Sequence, residues 1–166
     1  ASLINKFDIV AVVTAPNSKY GRGRKEKKSD VKKISLQNEI TVFTPSNLKE
    51  TSFINELSNL NADLFVVVAF RMLPKVIWNM PKKGTINLHT SLLPNYRGAA
   101  PINWVLINGE KETGITTFFI NENIDEGAII DQSKISIDEN LTSADLHNRL
   151  LAKSKELIVK TINSII

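Results

Sequence analysis

Apolar residues in this chain fall into short dense runs, separated by stretches where they recur every three or four positions. The runs "FDIVAVVT" (residues 7–14), "DLFVVVAF" (63–70) and "GITTFFI" (114–120) are rich in β-branched and aromatic residues and barely alternate. That pattern predicts strands buried on both faces, as in a parallel sheet. Helical spacing follows in two places. Leu48, Phe53, Ile54, Leu57 and Leu60 come after Pro45 and Ser46, and Leu146, Leu150, Leu151, Leu157, Ile158, Ile162 and Ile165 come after Thr142 and Asp145. The last pair has the spacing of a capping box. Strands alternating with helices predict an α/β fold, with helices on both faces of a mostly parallel sheet.

At 166 residues and 42% hydrophobic, the chain is long enough for one sizeable core and short for two, so a single domain is expected. No apolar run reaches the roughly 20 residues of a membrane helix, and no secretion signal opens the chain. A cytoplasmic protein with no membrane partner is expected. Zero cysteines remove disulfides, thiol nucleophiles and zinc–thiolate sites, and two distant histidines do not suggest a metal site.

The net charge of +4 is uneven: residues 19–33 hold eight Lys or Arg against Glu26 and Asp30, a surplus of six. Residues 16–29 form the longest stretch with no predicted element. Loops of that length are usually functional or disordered. The first apolar residues, Leu3 and Ile4, lead directly toward a strand and read as the end of a helix that begins earlier.

One segment, "TINLHTSLLPNYRGAAPINW" (residues 85–104), concentrates the candidate chemistry. If residues 85–88 form a strand, Asn87 and His89 leave the same face near its carboxyl end, where open α/β sheets bind ligands. Pro94 and Gly98 mark a loop, and "APINWVLI" can form a helix. A second loop, "NENIDEG" (121–127), follows another buried strand, and parallel strands would bring its Asp125 to the same sheet edge. An amide donor, an imidazole and a carboxylate suit acyl transfer to an amine. The amide can donate to an oxygen that becomes negative, the imidazole can donate or carry a proton, and the carboxylate can orient and charge the imidazole. On spacing alone, a hydrogen-bonded structural histidine and turn-capping Asn and Asp residues are the commoner arrangement, and both readings stay open.

The segment Asn87-x-His89-x-Ser91-Leu92-Leu93-Pro94, with Asp125 placed 36 residues after His89, resembles the signature of the formyltransferases that use 10-formyltetrahydrofolate. The likeness runs from "FDIVAVVTAP" through "ETGITTFFI" to the last helix. It implies a Rossmann-like formyltransferase fold and a catalytic trio of Asn87, His89 and Asp125. By the same resemblance, Ser91, Leu92, Leu93 and Pro94 would contact 10-formyltetrahydrofolate as co-substrate, with no metal. Residues 1–166 would be the catalytic domain, without the family's opening strand and helix start and without the small C-terminal β-barrel of its tRNA-acting branch.

Two features resemble that branch, whose acceptor is the methionine amine of initiator Met-tRNA. They are "RGAAPI" (97–102) and "GRGRK" (21–25), which would put Arg22, Arg24 and Lys25 against the tRNA. A basic loop of this kind can neutralise phosphates, although a merely solvated lysine-rich loop is the other reading. The alternatives are transfer to an amino-sugar nucleotide or, more remotely, a non-catalytic folate- or RNA-binding module. A monomer is expected. His147 is expected on the surface, and Trp78 and Trp104 in packing.

Overall fold

The computed structural model describes residues 2–20 and 25–166, with side chains described outside residues 18–27. These form two compact units. One takes in the chain up to Ala62 together with Met72–Ile77, and the other is Asp63–Arg71 with Trp78–Ile166.

In the first unit, β1 (Val12–Val13) pairs with a later strand, and β2 (Ser18–Tyr20) and β3 (Lys25–Lys27) form an antiparallel pair. The stretch expected to lack structure therefore contains a strand pair. Next come α1 (Asp30–Gln37), β4 (Val42–Phe43) and α2 (Thr51–Asn59), and β4 is the parallel partner of β1. The run at residues 7–14 yields only a two-residue strand and is not buried on both faces, since Val10 is 40% exposed. Helix α1 was not legible in the apolar spacing. Its start is set by Ser29, whose hydroxyl accepts from the Lys32 N–H at 3.1 Å and so satisfies an otherwise orphan donor of the first turn. In α2, Phe53 and Leu57 are buried as their spacing predicts, and Phe53 meets Phe43 edge-on with ring centroids 5.9 Å apart.

The second unit is built on a four-stranded sheet. Its strands are β5 (Phe65–Val68), β6 (Thr85–His89), β7 (Glu112–Phe119) and β8 (Ile129–Ser136), in that spatial order. The short α3 (Lys75–Trp78), which precedes β6 in the chain, belongs to the first unit up to Ile77, and α4 (Pro101–Ile107) lies between β6 and β7 in the second. The final helix is α5 (Ser143–Ile165). Strands β5 and β6 are parallel, as expected, but β7 and β8 return antiparallel, so the sheet is mixed rather than mostly parallel.

Strand β7 fits the prediction of two-sided burial, with Thr113 through Phe118 all buried between β6 and β8. Helix α5 packs on β7 and β8 through Leu146, Leu150, Leu157, Ile158 and Ile162, while Leu151 is turned outward at 48% exposure. The predicted capping box at Thr142 and Asp145 is present. A buried hydroxyl pair, Thr117 to Thr161 at 2.8 Å, ties β7 to α5 without leaving a polar group unpaired. Among the described residues, no helix is long and apolar enough to cross a membrane.

Candidate active site

Strand β6 lies between β5 and β7, so its backbone is held on both sides. Thr85 fixes its start by donating to the Trp78 carbonyl at 2.7 Å. Strand alternation then sends the side chains of Asn87 and His89 to one face. The amide oxygen of Asn87 is buried and has no hydrogen-bond partner among the described residues. A buried polar atom left without a partner costs free energy, so this amide suits a ligand that brings its own polar group.

His89 is 8% exposed, and its Nε2 lies 2.8 Å from the Tyr96 carbonyl oxygen. A carbonyl only accepts, so this bond places a hydrogen on Nε2. Nδ1 faces Asp125 Oδ2 at 3.6 Å, too far for a hydrogen bond between them. The Asp125 oxygen instead accepts the Gly98 N–H at 2.8 Å. Gly98 has φ of +81°, a conformation that a glycine adopts without strain.

The carboxylate does not reach His89 by the expected route. Because β7 runs antiparallel to β6, the loop that follows it leaves beside the start of β6, where the Ile120 N–H donates to the Thr85 carbonyl at 2.8 Å. The loop then doubles back. The Phe119 N–H donates to the Ala128 carbonyl at 2.9 Å, and Gly127 presses so closely on the Phe119 oxygen that a Cβ there would lie 1.5 Å from it. Asp125 has φ of +53°, a left-handed conformation that Asp adopts more readily than most residues. Arg97 meets the same loop, its Nε donating to the Asp125 carbonyl at 3.1 Å and its terminal nitrogen to Glu126 Oε1 at 3.0 Å.

The turn after His89 is held from within. Ser91 is fully buried and its hydroxyl donates to the Asn95 carbonyl at 2.7 Å, while Leu93 is 5% exposed. Leu92 packs against Gly114, where a Cβ would come within 2.5 Å of a Leu92 methyl, and Pro94 is exposed. Of the four positions expected to meet the folate, the side chains of Ser91 and Leu93 are thus committed to the turn itself.

Thr116 and Gln132 anchor this turn, and sequence reasoning missed both. The fully buried Thr116 hydroxyl donates to the Ser91 carbonyl at 2.7 Å and accepts from the Leu93 N–H at 3.1 Å and from the Gln132 amide at 2.8 Å. Gln132 also donates to the Leu93 carbonyl at 2.9 Å. One donor and two acceptor sites exhaust what a hydroxyl offers. Nothing in "GITTFFI" marks Thr116 beyond a β-branched residue in a strand.

Tyr96 connects the imidazole to the turn that follows α4. Its carbonyl accepts from His89, while its hydroxyl donates to Glu110 at 2.5 Å and accepts from the Asn108 amide at 3.0 Å. The bond to the Glu110 carboxylate holds the phenol proton more tightly than usual and raises its pKa. Ala69, Tyr96, Ala100 and Asp125, four of the six non-glycine residues with positive φ among those described, lie in the loops after β5, β6 and β7. Such conformations collect at functional sites.

Other expectations fall elsewhere. Arg22 and Arg24 lie outside the described residues, and Lys25 opens β3 with its side chain outside them. His147 is exposed, as expected, but Trp104 is 53% exposed rather than packed.

The family model described as formyl transferase matches residues 3–162. A methionyl-tRNA formyltransferase of Flavobacterium psychrophilum is 53% identical over 161 residues, which is 97% of this chain and 51% of the relative. A methionyl-tRNA formyltransferase of Bacteroides fragilis is 47% identical over 160 residues, 96% of this chain and 49% of the relative. The chain thus spans about half the length of these curated relatives.

Among solved structures, a phosphoribosylglycinamide formyltransferase from Streptococcus pneumoniae shares the fold, with a TM-score of 0.82 at 15% identity over 98% of this chain and 89% of that one. A sugar 3N-formyl transferase solved with dTDP and 5-N-formyl-THF is 28% identical, with a TM-score of 0.71 over 98% of this chain and 56% of that one. With residues 3–162 matched by the family model, the chain belongs to the formyl transferase family.

Proposed function

We propose that residues 1–166 act as the catalytic domain of an enzyme that formylates the α-amine of methionine on initiator Met-tRNA. The observation that carries this reading is the placing of His89 and Asp125 together, Nδ1 and Oδ2 3.6 Å apart, beside Asn87 on the same strand as His89, whose unpartnered amide oxygen can accept an N–H of the attacking amine. When bound, 10-formyltetrahydrofolate supplies the formyl group that the attacking amine takes.

Asn87 donates from its amide to the formyl oxygen as that oxygen gains negative charge, a contact whose loss typically costs ~10²–10³ in rate. His89, charged, donates from Nδ1 to the same oxygen while the Tyr96 carbonyl holds Nε2. Asp125 balances the ring's charge and relays the proton that leaves the amine toward the departing nitrogen. The turn at residues 91–94 offers the folate the exposed Pro94, rather than the Ser91 hydroxyl.

The choice of acceptor rests on the methionyl-tRNA formyltransferases at 53% and 47% identity, against 28% for the sugar enzyme. It is supported by the surplus of positive charge at residues 19–33, where Arg22, Arg24 and Lys25 would meet phosphates. On this reading the protein works as a monomer in the cytoplasm, without a metal. The test is formyl transfer by the complete natural polypeptide, offered 10-formyltetrahydrofolate with either charged initiator Met-tRNA or an amino-sugar nucleotide. Product on the tRNA alone is expected. Product on the sugar alone would overturn the acceptor while leaving the trio in place.

A further inference from the structure

We infer that Arg97 is a positioning residue for formyl transfer, setting the Asp125 carboxylate opposite His89 by gripping the Asp125 backbone. The inference rests on the proposed role of Asp125.

The loop that carries Asp125 is mostly exposed: Asn121 through Ile124, Glu126 and Ala128 all face solvent, and Asn121 supports it only locally, by accepting the Asn123 N–H at 2.9 Å. The backbone at Asp125 sits at φ of +53°, a left-handed conformation that costs a non-glycine residue some free energy, though less for Asp than for most, and that local contacts help to keep. Two adjacent residues of the opposite loop supply such contacts. Gly98 donates to the carboxylate at 2.8 Å, and Arg97 donates through Nε to the carbonyl of the same residue at 3.1 Å. The second arm of the guanidinium reaches Glu126 at 3.0 Å.

A planar guanidinium with donors in a fixed fork can fix the backbone oxygen of one residue and the side chain of the next together. A lysine offers a point charge and cannot reproduce both directions. The Arg97–Glu126 ion pair is 42% exposed on each side, so as a salt bridge alone it contributes little. Its consequence is geometric. With Nδ1 and Oδ2 already 3.6 Å apart, a shift of the loop by a further ångström separates the carboxylate from the imidazole.

The test compares Arg97→Ala, Arg97→Lys, Glu126→Gln and Asp125→Asn in the complete natural polypeptide, with thermal melting to confirm folding. The readouts are kcat and KM for both substrates and the hydrogen-exchange rate of the Gly98 amide. Misplacement by about an ångström can cost ~10²-fold, so Arg97→Ala should lower kcat by roughly that factor with KM within a few-fold. Its Gly98 amide should exchange faster, and Arg97→Lys should recover only a minor part of the rate. Glu126→Gln keeps an acceptor for the guanidinium and should retain near-normal kcat.

A normal kcat in Arg97→Ala beside an inactive Asp125→Asn would overturn the inference and leave the trio standing. Equal losses in Arg97→Ala and Glu126→Gln would reduce Arg97 to a surface ion pair and overturn it as well. An active Asp125→Asn would instead remove the reading on which the inference rests.

Discussion

Two loops frame the candidate site, and they are held by opposite means. The turn at residues 91–94 is fastened from inside, through the buried hydroxyl of Thr116 and the amide of Gln132. The loop at 121–127 is fastened from outside, by the exposed Arg97 and the Gly98 N–H, and from beneath by the contact of Gly127 with Phe119. Buried hydrogen bonds are costly to leave unmade, so the first loop is tied to the stability of the sheet. The second depends on a few bonds near water, and damage there should reach the chemistry sooner than the fold. One loop thus provides a fixed floor, while the other carries a carboxylate whose position is set by local contacts.

The comparison breaks most completely at Gly127. A methyl group 1.5 Å from the Phe119 oxygen cannot be accommodated by turning a side chain, because the obstacle is backbone. Gly127→Ala should therefore displace the loop and cost ~3 kcal/mol or more, the upper end for overpacking. Denaturant unfolding and activity measured together should show both losses. Normal activity would mean that Asp125 keeps its place without this close approach.

Thr116→Val comes next. It preserves shape but takes a donor from the Ser91 carbonyl and an acceptor from the Leu93 N–H, both near the buried Thr116. Roughly 2–3 kcal/mol is expected, which for a chain of this size lowers the melting temperature by about 5–10 °C. The Gly98 N–H, which donates to Asp125 of the other loop, should exchange as before. A change there would show that the two loops are not separately held.

The smallest effect should come from Asp131, on β8, whose carboxylate pairs with Lys160 of α5. Its hydrogen bond from Lys160, at 2.6 Å, pulls its carboxyl pKa below the ordinary value of 3.8. A carboxyl depressed in the folded state adds stability above its unfolded pKa and loses it as pH falls through the folded value. Asp131→Asn should therefore melt slightly below the wild type at neutral pH, and the two should converge in acid. Lys160 is 75% exposed, so the difference stays small. A gap that widens in acid would contradict the sign.

Much of this arrangement could be read in the sequence, and the exceptions share a cause. Local signals held: the Thr142–Asp145 box caps α5, residues 85–89 form the strand that carries Asn87 and His89, and β7 is buried on both faces. What failed depended on partners far along the chain. The direction of β7 is fixed by its register against β6 and β8, and a helix-containing connection misleadingly suggests a parallel return. Strand β8 is half exposed and rich in polar residues, so no dense apolar run announced it. Thr116 reads as an ordinary strand residue because its three partners lie 16 to 25 positions away. Asp125 was found by its spacing in the resemblance, yet it reaches His89 by a loop that doubles back rather than by parallel strands.

The central claim is that Asn87, His89 and Asp125 act together on the formyl group, and it is tested most directly by single-turnover formyl transfer with His89→Ala in the complete natural polypeptide. The account predicts a loss of ~10³-fold or more in rate, with near-normal melting and folate binding, since general acid–base groups contribute 10²–10⁴-fold. A rate within a few-fold of the wild type in a folded, folate-binding variant would contradict it and leave His89 a structural residue of β6.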